Sequence, residues 1–281
     1  MIKALKCDLS KTIVSFGFVI AVLVTFLLCF TETAYVDSYN NQRFSVYEVL
    51  LKFDMSFIAE DSSFNSLKIY KSALSGYSAM FLPVLASFPF VFSQCAERNS
   101  GNIRFSIFRT HKIKFYLSKY ISAFLSGGLG IALGVFIFGI ISFCVFPGIE
   151  SYPHMNFEYY APEGVFLEVC KKLFSSFIYG SVSTMPAFFL SSFCRNKYLI
   201  LCVPFLLRFM LDTATKKIVI NTPDYEFYKL VFPFESYAPS QIPYLKADSL
   251  LFSTIAVTLI SSFLILVGYI LIMEHRIDKG G

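Results

Sequence analysis

The hydrophobic pattern is dominated by long apolar runs separated by short polar stretches. Six of these runs are candidate membrane spans: residues 13–30, 73–93, 120–146, 173–193, 198–211 and 250–273. All but the fifth meet the length of about 17–25 apolar residues that a bilayer-crossing helix needs. The fifth has 14 residues and contains Arg208. It reads either as a short span whose arginine snorkels to the headgroups or as a broken, re-entrant segment. The pattern therefore predicts an all-α, polytopic membrane protein, with residues 1–281 forming a single transmembrane domain.

Local signals add detail. In residues 44–58, Ser45, Glu48, Lys52 and Ser56 fall on one side of a helical wheel and apolar side chains cover the rest. Glu48 precedes Lys52 by four residues, the favourable order for a helix ion pair. This predicts an amphipathic external helix resting on lipid or on other spans, with Asp54 as a flaw in its pattern. The Ser- and Asn-rich stretch 60–68 reads as loop. Ala161-Pro162-Glu163 carries helix-start signals and predicts a short helix leading into the fourth span. Pro83, Pro89, Pro186 and Pro204 fall inside spans, where neighbouring helices re-satisfy the freed backbone. Gly130 and Gly134 form a small-xxx-small pair, read as packing inside one subunit ahead of a dimer contact. The third external segment, 212–249, holds four prolines among apolar pieces and reads as a folded cap or a partial re-entry.

Composition agrees with the pattern. Of 281 residues, 56% are hydrophobic and 15% charged, against about 25% charged in soluble domains. Tryptophan is absent, so tyrosine, lysine and arginine must anchor the interfaces. The start, MIKALKCDLSK, has the basic character of a signal peptide. The uncharged 18-residue run behind it lacks an Ala-x-Ala site, so it reads as a retained first span.

Charge sets the orientation. With the N-terminus inside, segments 1–12, 94–119, 194–197 and 274–281 carry thirteen basic and four acidic residues, against eleven and fifteen elsewhere. Only this N-in, C-in arrangement obeys the positive-inside rule. The expected location is the plasma or inner membrane, with the lipid bilayer as one partner and no nucleic-acid partner.

Chemical motifs are absent. The chain has no GxxxxGK[ST], HExxH, GxSxG, GxGxxG or TVGYG sequence. The seven cysteines form no CxxC pair and read as scattered apolar residues, although Cys144 and Cys170 flank one loop. The three histidines lie outside the expected spans, which excludes an intramembrane metal centre of His and carboxylate ligands. No catalytic residue and no metal site is assigned, and the chain is not expected to be an enzyme.

The longest inside loop, QCAERNSGNIRFSIFRTHKIKFYLSK, has six basic residues and one acid. Ile103, Phe105, Ile107 and Phe108 make it too apolar for a loop that only meets water. On a wheel they spread around the circumference. Two readings stay open: an element inserted into a protein cleft, or a basic stretch touching anionic headgroups.

Glu97, then Ser100-Gly101, then 103–109, then Tyr116-Leu117-Ser118-Lys119 resemble the permease subunits of ABC type-2 transporters. The resemblance covers nearly the whole chain in topology and departs from the family in the short fifth span. It implies a second permease subunit, identical or related, and a cytoplasmic ABC ATPase subunit carrying ATP and Mg. It also implies a cytoplasmic coupling helix in this loop. Glu97 and Gly101 would shape its turn, Ile103, Phe105, Ile107 and Phe108 would enter a groove on the ATPase, and Arg104 would sit among the basic residues at its rim. No cofactor is expected on this chain. The function implied is export of an amphiphile, such as a drug, a peptide like a bacteriocin, or a lipid. The alternatives are an ATP-independent carrier or channel, or a non-transporting immunity or scaffold protein.

Overall fold

The computed structural model describes residues 2–37, 42–75, 78–100, 106–107, 110–152, 161, 164–194, 196–221 and 249–278. Its helices are α1 (Ile2–Ile13), α2 (Phe16–Cys29), α3 (Val46–Lys52), α4 (Met55–Glu60), α5 (Ser66–Ser72), α6 (Ser78–Asn99), α7 (Lys112–Val145), α8 (Val165–Ser183), α9 (Met185–Leu190), α10 (Lys197–Asn221) and α11 (Ser249–Asp278). Strands β1 (Thr33–Asp37) and β2 (Gln42–Ser45) form one antiparallel hairpin.

Among the described residues, three helical stretches are long and apolar enough to cross a membrane: Ser78–Asn99, Lys112–Ser151 and Val165–Leu190. The pair α1–α2, bent by 55°, makes a fourth if counted as one span. Ser15 sets the bend. It takes an extended backbone, and its hydroxyl accepts from Phe18 N–H to cap α2. At the fifth expected span the helix runs beyond the apolar stretch, but it is not among the candidate spans of the described residues. Helix α10 covers 25 residues, about 37 Å of rise, and Arg208 stands near its middle rather than at an end.

Helix α7 is the central post, packed against α1, α2, α6 and α8. Its glycines allow this. A Cβ on Gly134 would stand 2.7 Å from Thr25 of α2, and one on Gly128 would stand 2.7 Å from the Phe177 carbonyl of α8. The Gly130–Gly134 face thus packs inside the chain, the reading favoured from spacing.

At one end of the bundle the hairpin, α3, α4 and α5 form a small cap. The cap is the main correction to an all-α reading. Thr33–Asp37 and Gln42–Ser45 pair as strands, with Tyr35 opposite Phe44, and Tyr35 stacks on Phe64 at 4.9 Å. The expected 44–58 helix is two helices. Phe53 is extended and Asp54 occupies the N-cap of α4, so the chain breaks where Asp54 had marred the wheel. Helix α3 has a capping box between Ser45 and Glu48, and the expected Glu48–Lys52 pair forms at 3.2 Å. The stretch 60–68, expected as loop, holds a 3-10 turn at Ser62–Phe64 and the start of α5. Pro162 and Glu163, where the sequence signals a helix start, lie outside the described residues; α8 runs unbroken from Val165 into the expected fourth span.

Candidate functional site

At the other end of the bundle α1, α6 and α7 converge on a buried cluster of charges. α1 turns Asp8 and Thr12, one helical turn apart, toward α7, which presents Ser118, Lys119 and Ser122. The Lys119 ammonium lies 2.8 Å from Asp8 Oδ1 and also bonds Glu97 Oε2. Ser118 Oγ donates to Asp8 Oδ2 at 2.6 Å. Lys11 Nζ meets the second Glu97 oxygen, Oε1, at 2.8 Å. Both carboxylates are therefore satisfied, and Lys119 is only 4% exposed. Such burial is tolerable because each charge has a charged, hydrogen-bonded partner.

Arg98, the next residue on α6, reaches the other way. Its guanidinium donates to the carbonyls of Ser191, Ser192 and Cys194, the turn that follows α9. A cation at orphan helix-end carbonyls is favoured by both hydrogen bonding and the helix dipole. The last turn of α6 thus ties α1 and α7 through Glu97 and α9 through Arg98. An apolar cluster supports it, with Phe90, Tyr116, Phe188 and Tyr269 fully or nearly fully buried; Phe188 stacks on Tyr269 at 4.2 Å.

Of the residues singled out in the sequence, Glu97 and Ile107 lie among the described residues; Gly101, Ile103, Arg104, Phe105 and Phe108 lie outside them. Glu97 does more than shape a turn, since it is the acid shared by two lysines. Ile107 is buried in the chain's own cluster with Phe90 and Phe115. Asp8, Lys11 and Arg98 entered the sequence reading only as counted charges. The readable signal was Asp8 and Thr12 at i, i+4 on the polar stretch before the first apolar run.

A second buried set lies under the cap. Lys172 of α8 donates to the carbonyls of Lys71 and Ala73, capping α5. Leu74, next in the chain, is a rare non-glycine residue at φ 60°. Glu168 pairs with Lys71 at 2.9 Å, and Glu32 accepts from Ser78. The Arg208 guanidinium lies over the Tyr179 ring at 5.8 Å. Cys144 and Cys170 are both free thiols. Among the described residues no group of His, Cys, Asp and Glu could hold a metal ion.

No protein-family model matches the chain, and no curated protein matches it.

Proposed function

We propose that the chain is the membrane-spanning permease subunit of an ATP-binding-cassette exporter, moving an amphiphilic substrate with ATP hydrolysis on a separate subunit. The observation that carries the reading is the ionic closure of the 98–118 segment. Glu97 before it and Lys119 after it are bonded to each other, and Asp8 and Lys11 tie α1 to the same pair. A force reaching the ends of that segment passes through these bonds into α1, α6 and α7. This is what a permease needs where a motor docks, because nucleotide-driven closure must shift whole helices between two packings.

On this reading the charge cluster faces the cytoplasm, and Phe105 and Phe108 enter a groove on the ATPase. Ile107 anchors the segment from beneath. A second permease subunit completes the pathway. The test is co-purification of the tagged chain in mild detergent with an ATPase from its own cells, followed by ATP-driven transport in vesicles. Retention of the ATPase by the wild type, with transport lost in Phe105→Asp and Phe108→Asp while both variants still insert, is the expected result. A chain that never retains an ATPase overturns the proposal.

Buried Lys172 and Glu168, at the cap end of α8, favour one competing reading, an ion-coupled carrier, because buried ionisable groups are costly and cluster at functional sites. Transport by the purified chain alone in liposomes, driven by an ion gradient without ATP, would select it.

A further inference from the structure

We infer that the groove between the α1–α2 bend and α6 is a binding site for an anionic phospholipid. The groove has a volume of about 710 Å³, within the roughly 300–1,000 Å³ usual for small-molecule sites. Its two halves differ in chemistry. One is apolar, walled by Phe16, Ile20, Phe88 and Phe92, with the Phe88 and Phe92 rings 4.5 Å apart. Gly17 keeps its floor low, since α2 meets α6 there at Phe88 and Pro89. The other half is polar and ends at Lys11 and Glu97.

Charge decides the headgroup. Glu97 is the one acid lining the groove, and both of its oxygens are already bonded to lysines. Lys11 spends one donor on Glu97 and keeps half its side chain exposed; an ammonium has three donors. Lys197 lies over the ring of Phe92, a wall of the groove, at 5.0 Å. Lys3 and Lys6 are exposed on the same helix as Lys11. An unpaired anion is thus met by Lys11 within the groove and by Lys197 beside its Phe92 wall, and acyl chains by the aromatic and aliphatic walls. The bend at Ser15 places this boundary where a charged helix meets an apolar one, the position of a headgroup at a membrane interface. The inference rests on the apolar helices lying in a bilayer and on no ATPase partner, so loss of the transport reading leaves it standing.

The test uses the full chain, delipidated in dodecyl maltoside. Bound lipid is counted by native mass spectrometry after adding dioleoyl phosphatidylglycerol or dioleoyl phosphatidylcholine, and melting temperature is read in parallel. Two usable cations should give the anionic lipid a preference of at least about fivefold. Ala96→Trp puts a ring into the groove from an exposed position. It should abolish the binding and leave the lipid-free melting temperature unchanged. The double variant Lys11→Gln/Lys197→Gln should remove the preference but not residual phosphatidylcholine binding. Equal binding of the two lipids by the wild type would overturn the inference. So would unaltered phosphatidylglycerol binding by Ala96→Trp, or equal stabilisation by glycerol 3-phosphate, which would mark a soluble-anion site.

Discussion

Lys119 is the residue on which the cluster turns. Among the described residues its ammonium is the one cation bonded to both Asp8 and Glu97, and its side chain is 4% exposed. Removing one member of a buried ion network costs more than forming the network gains, because the remaining charges are left desolvated without partners. Lys119→Met should therefore destabilise the protein by about 3–5 kcal/mol, seen as a lower melting temperature in detergent. Adding Asp8→Asn and Glu97→Gln should recover part of that loss, since no unpaired carboxylate would remain. A Lys119→Met protein that melts with the wild type would show that the network carries no load. Arg208 poses the opposite case at this scale. The sequence placed it near a helix end, where snorkelling suffices; in α10 it stands mid-helix, with Tyr179 offering its ring face.

Among the elements, α7 depends on close approach, and its glycines can be ranked by what they face. A Cβ on Gly180 of α8 would come 2.7 Å from the Gly127 carbonyl of α7, a backbone atom that cannot rotate away. The nearest atom to a Cβ on Gly130 is a Phe18 ring carbon at 3.7 Å, ordinary contact. Gly180→Ala should cost about 1–3 kcal/mol by overpacking, whereas Gly130→Ala should be near neutral or slightly stabilising through its gain in helix propensity. Paired thermal melts in one detergent check this, and equal melting of the two variants would contradict the packing assigned to α7–α8. Helix length and apolar content were legible because a bilayer-crossing run leaves a strong signal: 120–146 foretold most of α7, and 73–93 most of α6. The hairpin was not legible, because Thr33–Asp37 and Gln42–Ser45 are too short for a decisive alternation and draw their stability from Phe64 and Phe53 of the cap. The candidate site was half legible. Glu97 and Lys119 stood out in the loop, but the Lys119–Asp8 bond joins residues 111 positions apart, and no local spacing encodes such a contact.

For the whole molecule, the antiparallel run of helices segregates two chemically different ends. One gathers the lysine-rich α1, Glu97, Arg98 and Lys119; the other carries the hairpin cap and the 3-10 turn Ile149–Ser151, and a bond from Ser66 N–H to the Pro147 carbonyl just before that turn ties the end of α7 to α5. Lys and Arg near span ends resist translocation, so the α1 end should face the cytoplasm and the cap the exterior. Two exposed positions test the direction. Cys7 lies on α1 and Ser151 on the cap-end turn. In single-cysteine proteins, one keeping Cys7 and one carrying Ser151→Cys, a membrane-impermeant maleimide applied to intact cells should label the Ser151→Cys protein and spare Cys7 until the membrane is permeabilised. The reverse pattern would invert the bundle. It would place the charge-closed segment outside, beyond reach of any cytoplasmic motor, and would leave the groove beside Lys11 facing the outer leaflet. Orientation is therefore the property on which the transport reading stands, and a single labelling comparison is enough to overturn it.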